Sequence, residues 1–109
     1  MKIHVEVFIA SRVLEQMQGT FSPTDILDFI RKEFKDERNG ILTHVSAACV
    51  ANAPLNHPIV HNYLWRVSPG KYRTFLPGYD PLKPDKKSAR TQPESEDVPE
   101  KYRYLLRQE

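Results

Sequence analysis

A chain of 109 residues that is 39% hydrophobic and 28% charged fits one small domain and leaves no room for two ordinary ones. No stretch approaches the roughly 20 apolar residues of a membrane span, and no basic-then-apolar leader opens the chain. The expectation is a soluble, cytoplasmic protein with no membrane partner, and the single cysteine, Cys49, excludes an internal disulfide framework.

The net charge of +2, from 16 Lys+Arg against 14 Asp+Glu, hides a segregation. Residues 1–37 have net charge −2, and residues 80–109 balance seven of each sign. Residues 38–79 carry Arg38, Arg66, Lys71 and Arg73 with no Asp or Glu, and three of the four histidines, His44, His57 and His61, lie there too. A surface built from that stretch would have a positive potential even though the whole chain does not.

Taken in chain order, residues 5–17 place Val5, Phe8, Ile9, Val13 and Met17 at helical spacing, and Gly19 ends the run. Ile3, Val5, Val7 and Ile9 also alternate as a strand would, but the later half does not, which favours helix. The second helix has the stronger signal. Ser22 suits its N-cap, Pro23 its first position, and Asp25 its first turn, where the helix dipole favours an anion. Ile26, Leu27, Ile30 and Phe34 then form its apolar stripe.

Asn39-Gly40 breaks the chain and offers Asn39 as the next cap, so a third helix is expected over residues 41–52, closed by Pro54. Its apolar face would be Ile41, Leu42, Val45, Ala48 and Cys49. After an irregular stretch at residues 54–58, the β-rich segments 63–67 and 72–76 flank Ser68-Pro69-Gly70-Lys71. Proline followed by glycine at the centre of that turn suits type II geometry and predicts a β-hairpin. Residues 79–97 read as a Pro-rich charged linker with almost nothing to bury. Residues 98–109 read as a short C-terminal helix aligning Val98, Tyr102, Leu105 and Leu106, too short to stand undocked. Its apolar face fits either its own domain or a homodimer through Tyr102, Leu105 and Leu106.

Three helices followed by a hairpin match the α+β plan of a winged helix-turn-helix over residues 1–78, in which the third helix enters the major groove and the hairpin touches the flanking backbone. Other small α+β domains use the same elements. Residues His44-Val45-Ser46-Ala47-Ala48-Cys49-Val50-Ala51-Asn52-Ala53-Pro54 and Leu64-Trp65-Arg66-Val67-Ser68-Pro69-Gly70-Lys71-Tyr72-Arg73 add a family resemblance. Together they resemble a poorly characterised family of prokaryotic winged-helix domains, some of which accompany restriction-type nucleases. The resemblance covers roughly residues 5–76 and is most specific at the Arg-Val-x-x-Gly-x-Tyr pattern of the wing. It implies a DNA-binding winged-helix fold and supplies no catalytic residues. Pro69 in the wing turn and the charged tail depart from the family pattern.

The expected partner is therefore double-stranded DNA, for a small transcriptional regulator or an accessory DNA-binding module. Arg66, Lys71 and Arg73 cluster around the hairpin and would face phosphates, with Lys71 at the tip the safest choice; the plainer alternative is a solvated ribbon face. Strand alternation prevents all three from pointing the same way. Thr43, His44, Ser46 and Ala47 would lie on the outer face of the third helix, where short polar and methyl groups approach base edges closely. No Arg, Asn or Gln stands mid-helix to make bidentate base contacts, so modest sequence specificity is expected. Arg38 and Asn39 at the helix start would grip backbone phosphate.

Tyr63, Trp65 and Tyr72 are expected in the core rather than as a stacking platform. Cys49, His57 and His61 do not make a persuasive metal site, because Pro54 and Pro58 spoil a helical His-x-x-x-His arrangement. No phosphate-binding glycine loop and no nucleophile-base signature is present, and Asp25 with Asp28 read as a solvated helix surface. A non-enzyme without cofactor is expected. A protein-interaction module that does not bind DNA is the rival reading.

Overall fold

The computed structural model describes residues 1–53, 61–82 and 90–107. It is a mixed α+β fold: helices packed with one two-stranded antiparallel sheet. Helix α1 spans Ile3–Gln18 and ends on Gly19, whose φ of 81° is open to glycine and costly for other residues. Its inward face is Val5, Phe8, Ile9 and Leu14, all buried, whereas Met17 at the last turn is exposed rather than packed. Helix α2 spans Pro23–Phe34 and opens with a complete capping box. The Asp25 amide donates to Ser22 Oγ, and the Ser22 amide donates to Asp25 Oδ2. Ile26 and Ile30 are fully buried, with Leu27, Phe29 and Phe34 half-buried around them.

The third helix departs from expectation. Helix α3 is a single α-turn, Ile41–Thr43, continued by a π-helical turn, His44–Ala48, and it ends four residues before the expected Asn52. Its N-cap is Gly40 at φ 93°, not Asn39. The early end has a physical cause. Cys49, Val50 and Ala51 are wholly buried, and their backbone is drawn to the sheet. The Leu64 amide donates to Cys49 O and the Ala51 amide to Leu64 O, each at 2.9 Å, in place of further helical bonds. Leu42, expected on the apolar face, is half exposed to solvent.

Strands β1 (Leu64–Ser68) and β2 (Lys71–Thr74) pair in the register Leu64↔Thr74, Trp65↔Arg73, Arg66↔Tyr72, with an irregularity before Ser68↔Lys71. Gly70 at φ 75° completes the Pro-Gly turn. Phe21, between α1 and α2, forms an antiparallel bridge with Tyr72, through reciprocal backbone bonds of 2.8 and 3.0 Å. That bridge fastens the hairpin to the helices. Asn52 clamps the other strand: its side chain donates to Arg66 O at 3.0 Å and accepts from the Arg66 amide at 2.8 Å.

The stretch read as a linker contributes to the packing. Asp80 and Thr91 are buried, as is Pro93, and the Asn62 amide donates to Arg90 O at 2.9 Å. Two 3₁₀ segments follow, Ser95–Asp97 and Glu100–Leu105. Val98, Tyr102 and Leu105 join the same core as α1 and α2. Tyr102 stacks edge-on against Phe34, and its hydroxyl donates to Glu33. The tail therefore docks on its own domain. Of the three residues named for a homodimer, Tyr102 and Leu105 are under a tenth exposed and Leu106 is half-buried against the same core, so that face is already occupied. No helix among the described residues is long and apolar enough to cross a membrane.

Candidate nucleic-acid interface

The expected reading helix exposes a small polar face. Asn39, Thr43 and Ser46 are exposed, and His44 and Ala47 are half-buried. Two of these side chains are turned back on the backbone: Ser46 Oγ donates to Leu42 O at 2.8 Å, and His44 Nδ1 lies 3.0 Å from Gly40 O, where its N–H donates. Such back-bonding satisfies the groups in the free protein and must be exchanged before either reaches a base. Within α3 no carboxylate stands among them.

The basic residues divide into two classes. Arg38 is held by carboxylates from outside its own segment: its Nε and Nη2 both donate to Asp36, and Nη2 also donates to Glu6 Oε1 at 2.9 Å and to Met1 O at 2.7 Å. Arg73 is held more firmly. Nη1 and Nη2 donate to Asp80 Oδ2 and Oδ1, each at 2.7 Å, and its guanidinium lies over the Trp65 ring at 5.7 Å. Bidentate pairing of this kind is the strongest form of the interaction and leaves Arg73 little donor capacity for phosphate. Arg66 and Lys71, by contrast, form no ion pair among the described residues. Lys71 is exposed at the turn and shares a surface notch with Ser22 and Asp25 at the start of α2.

Acid-free in sequence is thus not acid-free in space. Asp80, Asp36, Glu6 and Glu15 all fold onto the 38–79 stretch, Glu15 Oε2 accepting from the Thr74 amide at 2.6 Å. The Arg38 guanidinium holds the Asp36 carboxyl far below its usual range, while burial, aided by neighbouring Asp36, pushes Glu6 up to about 7. Asp80 is likewise lowered by Arg73.

Tyr63 and Tyr72 are buried, and Trp65 is half-buried against Phe75. Cys49 is buried, and burial alone raises its thiol well above the ordinary range. His57 lies outside the described residues, and among those described no group of three or more His, Cys, Asp or Glu could hold a metal ion. One feature escaped the sequence reading. His4 of α1 and His61 before β1, 57 positions apart, are brought into ring contact beside His44. No spacing rule links them. No family model, curated protein or solved structure matches the chain.

Proposed function

We propose that the chain is a winged-helix domain that binds duplex DNA through the outer face of α3 and the hairpin, with Lys71 and Arg66 as the phosphate contacts. The observation that carries this reading is the Phe21–Tyr72 bridge between α1 and α2, which fastens the hairpin to the helices as the winged-helix plan requires. The absence of any Asp or Glu within α3 supports it, as does the family resemblance of the hairpin. Arg73 serves the fold and Arg38 is partly engaged by Asp36 and Glu6, so the electrostatic footprint of the duplex face is smaller than the sequence suggests. Binding, not catalysis, is the role: a regulator or accessory module with modest sequence preference.

Two or three phosphate contacts give a log–log salt slope of only about −2 to −3. Fluorescence titration of a labelled duplex from low to moderate salt tests this. The Lys71→Ala/Arg66→Ala pair should flatten the slope by about 2. Absence of wild-type binding at low salt would remove the reading.

A second reading rests on a different surface. Leu76, Tyr79 and Leu82 are exposed, Tyr79 at 78%, in the segment that follows the hairpin. An apolar strip of this kind suits a protein partner. If Tyr79→Ala with Leu82→Ala abolishes a protein interaction while the wild type never binds duplex, the interaction reading takes precedence.

A further inference from the structure

A cleft of about 480 Å³ opens between the start of α1, the middle of α3 and the chain entering β1. Lys2, His4, Arg38, His44 and His61 line it, and no carboxylate does. Two of its histidines form a constrained pair. The His4 and His61 rings stack nearly parallel, 11° apart, with centroids at 4.0 Å. The buried Tyr63 hydroxyl lies 3.0 Å from His4 Nδ1 and fixes that ring from behind. His61 Nδ1 is buried without a hydrogen-bond partner among the described residues. The His44 Nδ1 is committed to Gly40 O. Nε2 is therefore the nitrogen of His4 and of His44 that remains for a ligand.

The arrangement does not suit a metal. Rings stacked face to face direct their nitrogens side by side rather than converging on one point, and no three-ligand group exists among the described residues. It suits an anion. Two stacked imidazoles repel when both are charged, and Lys2 adds to that repulsion; a multiply charged oxyanion in the cleft would reverse the balance and supply acceptors to every donor at once.

We propose that this cleft binds a phosphate group, held by Lys2, Arg38, His44 and the His4–His61 stack, whether carried on a nucleic-acid backbone or on a free phosphorylated molecule. The proposal shares only His44 with the duplex-binding reading, whose phosphate contacts are Lys71 and Arg66. Burial first, and the neighbouring His61 and Lys2 next, lower His4 to about 4, with Asp97 opposing and His44 adding slightly. His61 is lowered by burial and by His44, Arg90 and Lys2. Both rings are neutral at pH 7 in the free protein, so phosphate binding draws protons onto them. Glu6 and Asp36 act from behind Arg38 and keep its charge partly engaged.

The test is a titration of the full chain with inorganic phosphate, following the imidazole Cε1–H signals by NMR against chloride at matched ionic strength. His4 and His61 should shift saturably, and calorimetry in buffers of different ionisation enthalpy should show proton uptake. The Lys2→Ala variant, altered at an exposed position that leaves the core intact, should bind phosphate about fivefold more weakly. A duplex oligonucleotide that displaces the phosphate identifies the nucleic-acid backbone as its source; a duplex that leaves the histidine signals in place identifies a free phosphorylated molecule. Histidine signals that respond no more to phosphate than to chloride, or a Lys2→Ala variant that binds equally well, would overturn the proposal.

Discussion

Asp80 holds Arg73 through both carboxylate oxygens, each at 2.7 Å, from a position seven residues further along the chain. The same carboxylate accepts from the Leu76 amide at 2.8 Å, so it closes the loop after β2 as well as neutralising the hairpin's last arginine. Asp80 is almost fully buried while Arg73 retains a quarter of its side-chain exposure. Removal of the acid would leave a partly desolvated guanidinium and an orphaned amide.

Asp80→Ala is therefore expected to cost about 2 kcal/mol of stability, read from denaturant midpoints at unchanged m-value. If the duplex reading holds, the freed Arg73 should also steepen the salt slope by about 1. A stable Asp80→Ala protein whose midpoint does not move would show that the pair contributes nothing net to folding.

Two signals in the chain were legible because they are local. The Ser22 cap of α2 and the Pro69-Gly70 turn depend on residues within four positions of one another, and both formed as the sequence implies, with Asp25 adding the reciprocal bond of a capping box. The mixed α+β class followed from them. What the sequence concealed is long-range. Arg38 meets Glu6 across 32 positions, Thr74 meets Glu15 across 59, and Arg73 finds its acid in a stretch that reads as a linker. Helix α3 was overextended for the same reason. Cys49 continues the apolar spacing of the helix, but the backbone bonds of Cys49 and Ala51 go to Leu64, a partner that no local pattern announces.

Asn52 provides a direct measure of that tertiary claim. Its carboxamide makes both bonds of a strand to the Arg66 backbone. Asn52→Ala should destabilise by about 1–3 kcal/mol, since it leaves a backbone donor and acceptor without partners. Asn52→Asp should also lose stability, because a carboxylate still accepts from the Arg66 amide but repels Arg66 O. Thermal unfolding of the two variants beside wild type checks the order. Equal stability of all three would mean that water replaces the clamp without cost.

The tail makes a prediction opposite in kind to that of a dimerisation arm. Because Val98, Tyr102 and Leu105 lie in the core shared with α1 and α2, a chain truncated after Gln92 should lose several kcal/mol and expose apolar surface. Tyr102→Phe keeps the ring in the core and removes the hydroxyl's bonds to Glu33 and Lys101, so it should cost far less than the truncation. Sedimentation of the wild type separates the cases: an association that the truncation abolishes at unchanged stability would return the tail to an interface role.

The pH dependence of stability sets Glu6 against His4. Glu6 titrates at about 7 in the folded chain, above its ordinary value of 4.5. The folded state thus binds more protons than the unfolded one between those values, and stability falls as pH rises from 4.5 to 7. His4 titrates at about 4, below its ordinary 6.5. Here the unfolded state binds more protons, so stability rises with pH from 4 to 6.5. Each contribution is on the order of 3 kcal/mol before solvent screening reduces it, and over the shared window the two oppose each other. With the lowered His61 adding to His4, wild type should rise only shallowly between pH 4.5 and 6.5 and decline toward pH 8. Glu6→Gln keeps an acceptor for Arg38 and a donor for Asp36 without an ionisable proton. It should remove the decline and uncover the rise driven by His4, leaving the variant more stable than wild type at pH 8. Denaturant titrations at half-unit pH steps on both proteins read this directly. Parallel curves across the whole range would mean that Glu6 ionises in the folded protein at its ordinary value.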